Sequence, residues 1–168
     1  AVGGMLGAIC PPMSVLAYKW PNDVLLNDAK VAGVLIDAGP VIGGRMAWAA
    51  IGVGVNIASA PADTPYPATS AAAAGASATV EEALELFARG FLSWIDVWRN
   101  EGFGPIRQSW KGLAKGIGAP IEARLSEDEI LTGRFVDLDE NGLLILDQND
   151  GERRLISAAD VFFPEISA

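Results

Sequence analysis

Lys19-Trp20-Pro21-Asn22-Asp23-Val24-Leu25-Leu26-Asn27-Asp28-Ala29-Lys30-Val31-Ala32-Gly33-Val34-Leu35-Ile36 is the stretch whose reading decides the fold. Within and around it, residues 15–20, 24–26, 30–38 and 45–57 are rich in Val, Ile, Leu, Ala and Trp. Each run is bounded by Pro, Gly or Asn-Asp, the punctuation of short strands. Asn27-Asp28 predicts a hairpin turn, and Gly39-Pro40 with Gly43-Gly44 a second. The expectation is a mixed or antiparallel sheet.

Working outward, the chain has 168 residues, 51% of them apolar, which suffices for one substantial core and a small second domain and excludes an intrinsically disordered chain. Twelve basic against 21 acidic side chains leave a net charge of −9. Such a balance offers no electrostatic footprint for a phosphate backbone or an anionic membrane, so nucleic-acid binding by this segment is not expected. Histidine is absent and Cys10 is the one cysteine. That removes Ser-His-Asp and Cys-His nucleophiles, zinc fingers, iron–sulfur clusters and disulfide frameworks, and favours a reducing, cytoplasmic compartment. The uncharged opening, residues 1–18, is broken by Pro11-Pro12 and glycines, so neither a membrane span nor a secretory leader is expected. The opening itself reads as part of a helix.

Charge is unevenly spread. Residues 1–80 hold three basic and four acidic side chains, residues 81–168 nine and seventeen, so the first half is expected to be the more buried. Residues 60–79, with prolines and a run of Ala, Ser and Thr, predict a loop over the sheet. Thr79 followed by Glu82 is a capping box, and Leu84, Phe87, Ala88, Phe91, Ile95 and Trp98 then recur at helical spacing until Gly102. Pro105 opens a shorter helix carrying Ile106, Trp110 and Leu113. After Gly118 the period changes to two, with turns at Asn141-Gly142 and Asp150-Gly151, and four or five short strands suit a small barrel. The domains are expected to be 1–117 and 118–168.

Two segments carry chemistry. In Lys19-Trp20-Pro21-Asn22-Asp23 a β-type run delivers a cation and proline stops the strand directly after it, a geometry that aims an ammonium into a cleft. The same lysine also fits a sheet edge with its head in water, and Asn22 and Asp23 also fit as ordinary turn formers. In Ile51-Gly52-Val53-Gly54-Val55-Asn56 two glycines share one strand face, which lets a flat ligand or another backbone lie against it, with Asn56 next along. Close sheet-on-helix packing explains the same glycines equally well. Lys30 and Arg45 fall at hairpin positions with no argued access to a cleft.

Taken in order, Lys19-Trp20-Pro21-Asn22-Asp23, Lys30-Val31-Ala32-Gly33-Val34-Leu35-Ile36 and Gly52-Val53-Gly54-Val55-Asn56, with a small β-barrel behind them, resemble the biotin protein ligase family over essentially the whole chain. The resemblance implies an α+β fold: a class II synthetase-like sheet with helices, of biotin/lipoate ligase type, followed by an SH3-like barrel. It implies ATP-dependent activation of biotin to biotinyl-5′-AMP and transfer to a lysine of a biotin carboxyl carrier protein, part of a biotin-dependent carboxylase. Lys19 matches the family's catalytic lysine, set against the biotin carboxylate, and Gly33 matches a biotin-binding position where backbone approaches the ligand. Asn22, Gly52, Gly54 and Asn56 match nucleotide contacts. Biotin, ATP and Mg²⁺ are the implied small molecules, with Asp23 the candidate metal ligand, and a homodimer is among the assemblies the resemblance allows.

The family's earlier half supplies a glycine- and arginine-rich loop over biotin and phosphate, and residues 1–168 contain no such run. The chain is therefore expected to lack the N-terminal half of the active site and to be inactive by itself. A lipoate or octanoate ligase or transferase and a non-catalytic carrier-docking module are the alternatives.

Overall fold

The computed structural model describes residues 1–164; the end of the expected second domain, 165–168, lies outside the described residues. The chain forms two compact units, one of residues 1–16 and 22–90, the other of residues 17–21 and 91 onward. The α+β class with antiparallel sheets, expected from the sequence, is the class observed.

In the first unit, α1 (Val2–Ile9) buries Val2, Met5 and Leu6. The strands β2 (Asp23–Leu26), β3 (Ala29–Ala38) and β6 (Ala49–Val55) form an antiparallel sheet with β3 in the middle. Val24, Leu25, Leu26, Val31 and Ala32 supply its buried apolar residues. The β2–β3 hairpin turns at Asn27 and Asp28, whose φ angles of 51° and 64° are both left-handed. That is the backbone a tight hairpin requires, and Asx residues tolerate it best after glycine.

The single strand expected over 45–57 is instead two pieces, β5 (Arg45–Met46), paired with β4 (Val41–Ile42), and then β6. Trp48 sits between them, and its ring lies against Gly39, where a Cβ would come within 2.5 Å of the indole nitrogen. The Gly39 N–H donates to Trp48 O at 2.9 Å, so the break is a closed loop rather than a fray.

The first half does hold more of the buried apolar residues, 11 of the 20 among the described residues, but its cover stops short of one stretch. Leu35 and Ile36, which point to opposite faces of β3, are 74% and 69% exposed, and Val41, Ile42, Met46, Trp48 and Ile51 are exposed with them. Residues 35–52 form an apolar arm bare on both sides. Scarcity of charge tells which surface prefers cover, not which surface has it.

Residues 60–79 form the predicted loop, tied down at its far end. Lys30 N–H donates to Pro67 O, Thr69 N–H to Lys30 O, and Ala71 N–H to Asn56 O. The helix α2 (Val80–Glu101) then starts on the predicted box: Thr79 N–H donates to Glu82 Oε2 at 2.8 Å and Glu82 N–H to Thr79 Oγ1 at 3.2 Å. It stops at Gly102, left-handed at φ 77°. Its apolar stripe is covered only in part, with Leu84 and Trp98 exposed.

The second unit holds β7 (Pro120–Arg124), β8 (Ile130–Leu138), β9 (Leu144–Gln148), β10 (Arg153–Ile156) and β11 (Asp160–Phe162) in one antiparallel sheet, ordered β10-β9-β8-β7-β11. Its core joins Ile121, Phe135, Leu144, Leu146 and Ile156 with a residue from far upstream, Trp20. The helix α3 (Gly104–Lys111) lies beside it. Lys111 Nζ lies 2.7 Å from one Asp137 carboxylate oxygen, and Arg107 lies 3.5 Å from the other.

Candidate functional site

The pairing of β2, β3 and β6 places Asp23 opposite Gly33 and Gly33 opposite Gly54, with Leu35 opposite Gly52. Directly opposed residues point to the same face. One face of the sheet therefore carries a strip without side chains, Gly33, Gly52 and Gly54, ending at Asp23. A Cβ added at Gly52 or Gly54 would meet nothing nearer than a strand carbonyl, at 3.7 and 4.0 Å. No packing in the described residues requires glycine at either position, so close sheet-on-helix packing does not account for them. The strip floors an open cavity of about 660 Å³ that Asn22, Lys30 and Asn56 also line.

Lys30 is the residue that reading the sequence missed. Strict alternation would send it to the face opposite Gly33. The register shifts between Val24 and Leu25, leaving Val31 as the extra residue of a bulge, and this turns Lys30 onto the glycine face. Its ammonium reaches Asp23 Oδ1 at 2.6 Å, above Gly33, where a Cβ would stand 3.3 Å from Lys30 Cε. The assignment of Lys30 to a hairpin position away from the cleft is thus corrected. A bulge has no signature in alternation itself, so the one hint was a lysine three residues from a glycine in an otherwise apolar strand.

Asn22 and Asn56 lie at the rim, each held by its own amide. Asn22 Nδ2 donates to Val34 O at 2.7 Å, and Val34 N–H returns a bond to Asn22 O at 3.0 Å. Asn56 Nδ2 donates to Thr69 O at 3.0 Å, and Asn56 N–H to Val31 O. Asp23 is the one carboxylate among the lining residues, and it is engaged by Lys30. No group of three or more metal-type side chains exists among the described residues. The described residues at this cavity thus offer one carboxylate, Asp23, toward a magnesium ion.

Six of the predicted site residues, Asn22, Asp23, Gly33, Gly52, Gly54 and Asn56, are thus brought together in the first unit. Lys19, the last residue of β1 (Leu16–Lys19), belongs to the second. There its ammonium lies 5.8 Å from the centroid of the Phe162 ring, and Tyr18, just before it, stacks on Trp110 with centroids 6.1 Å apart. Burial pushes the Tyr18 phenol above its ordinary pKa. Among the described residues no helix is long and apolar enough to cross a membrane.

Comparison with known proteins bears on this arrangement. Residues 1–112 match the model of the biotin/lipoate A/B protein ligase family, and residues 116–163 that of the biotin protein ligase C-terminal domain. The biotin–[acetyl-CoA-carboxylase] ligase of Paracoccus denitrificans is 42% identical over 94% of this chain and 67% of its own. The bifunctional ligase/repressor BirA of Bacillus subtilis is 30% identical over 83% of this chain and 44% of its own. The biotin protein ligase of Aquifex aeolicus, solved in complex with biotin and ATP, superposes with a TM-score of 0.76 at 20% identity, over 97% of this chain and 68% of that one. On the family match and the Paracoccus relative, the chain belongs to the biotin/lipoate A/B protein ligase family.

Proposed function

We propose that this chain carries the nucleotide-facing part of a biotin–protein ligase, which activates biotin with ATP and passes it to a lysine of a biotin carboxyl carrier protein. The observation that carries the reading is the bare floor of Gly52 and Gly54, with Gly33 beside it under the Lys30–Asp23 pair. A flat adenylate fits such a floor, and a cation at its edge fits the acyl-phosphate that the adenylate contains. The likeness to the Paracoccus ligase favours biotin over lipoate.

In the first half-reaction a biotin carboxylate oxygen bonds to the α-phosphorus of ATP while the bond to pyrophosphate breaks. In the second, the carrier amine bonds to the acyl carbon, AMP departs with the electrons of the acyl–oxygen bond, and the amine loses a proton. Lys30 attracts the anionic nucleophile and steadies charge on the phosphoryl oxygens. Lys19 shares that work as the strand-end cation of the motif. Gly33 lets biotin approach the backbone, and Asn22 and Asn56, oriented by their own amide bonds, contact the nucleotide. The chain is divided by role into a ligase part, 1–117, and a C-terminal SH3-like part, 118–168.

Calorimetric titration of biotinyl-5′-AMP into the chain tests this. The parent is expected to bind, and Lys30→Ala and Lys19→Ala each to weaken binding by about 10- to 100-fold, the worth of a charge-assisted hydrogen bond. Lipoyl-5′-AMP is expected to bind more weakly than biotinyl-5′-AMP. A parent that takes up neither ligand refutes the reading.

A further inference from the structure

Residues 17–21 are built into the C-terminal unit, and the two side chains at its centre are held there by different means. Trp20 is 5% exposed in the core with Phe135 and Leu146, and its Nε1–H donates to Gly142 O at 3.1 Å. Lys19, one residue earlier, has its ammonium over the ring of Phe162 in β11. Arg124, on the neighbouring β7, lies over the same ring with its guanidinium 4.7 Å from the centroid. The buried indole fixes the backbone from which Lys19 departs, and the ring attracts the other end of its side chain through its quadrupole. A lysine otherwise spreads over many rotamers, and ordering it opposes the capture of an anion. Arg124, of like charge, thus shares the ring with Lys19.

We propose that Phe162 is a positioning residue for Lys19, holding this motif lysine in place. This rests on the role given to Lys19 above. The chain has only four lysines, at 19, 30, 111 and 115, so the Lys19 ε-methylene signals are assignable by NMR on lysine-labelled full chain. Those protons are expected upfield of the Lys30 and Lys111 signals, as are those of Lys115, which lies 5.3 Å from the Phe163 ring centroid, and the Lys19 shift alone is expected to persist in Phe162→Tyr and to move to the solvated position in Phe162→Leu and in Phe162→Met, which fills the site without a ring.

ATP affinity by calorimetry is the second readout. Lys19→Ala is expected to lower it about tenfold or more, Phe162→Leu and Phe162→Met by about two- to fivefold, with Phe162→Tyr restoring it and Arg124→Gln leaving it within twofold. If Lys19→Ala weakens ATP binding while the ring-less variants keep the parent's affinity, the positioning role is wrong and the reading of Lys19 survives. An Arg124→Gln loss equal to that of Phe162→Leu likewise overturns it, since the ring would then be serving the arginine. A Lys19→Ala variant with the parent's affinity, or a parent that takes no ATP, removes the role of Lys19 and this inference together.

Discussion

A missing side chain is as specific a device as a charged one when the backbone around it is fixed. At Gly54 the space above the strand is open, and an added Cβ meets only the carbonyl of Gly33 at 4.0 Å. Gly54→Val is therefore expected to fold with an unchanged melting temperature and to lose biotinyl-5′-AMP binding in calorimetry, because its bulk enters the space of the ligand and of nothing else. Gly104, equally unobstructed and opening α3, is the control at which alanine should leave binding unchanged. Gly142, although in a turn, would be a misleading control: it is left-handed at φ 85° and faces the Phe103 ring. The glycines and asparagines of the cavity were legible in the sequence because alternation puts Gly52, Gly54 and Asn56 on one face. Lys30 was not legible, because a single bulged residue reverses the face on which a side chain emerges.

Elements with local signals were read closely. The Thr79–Glu82 box and the left-handed Gly102 delimit α2 because each satisfies backbone groups within one turn of chain. Signals that depend on a distant partner were not visible. Trp20 in the core of a sheet that begins a hundred residues later, and the grip of α3 on β8, have no local trace. Burial raises the Asp137 carboxyl, but the hydrogen bonds from Lys111 and the Leu138 N–H, with the charges of Lys111 and Arg107, outweigh it and hold the group below its ordinary 3.8. A carboxylate with a depressed folded-state pKa stabilises above its unfolded value and loses that contribution as pH falls through the folded one. Asp137→Asn is thus expected to melt below the parent at neutral pH, with the two melting temperatures converging only at pH values under 3.8. A gap that persists undiminished into that acid range would show that charge is not the source of the difference.

At the scale of the whole molecule, the cavity's charge decides what the chain does unaided. Lys30 is the one cation among the described lining residues and it is already paired with Asp23, whereas the reaction brings together a carboxylate and a triphosphate. We expect no transfer when the chain is incubated with biotin, Mg-ATP and a carrier domain. A carrier that gains the mass of one biotin would refute this.

The apolar arm has a consequence for the protein as a colloid. Copies repel through a net charge of −9, but nearly all of it resides after residue 80, and residues 35–52 hold only Asp37 and Arg45. The arm is thus a nearly uncharged, greasy tip on a molecule whose repulsion is concentrated elsewhere, and screening that repulsion leaves attraction between tips unopposed. Light scattering should rise steeply with added sulfate and as pH approaches the isoelectric value of about 4.4. Ile36→Lys, which charges the tip itself, should shift both thresholds. Storage of this protein is then a question of ionic strength before it is one of temperature.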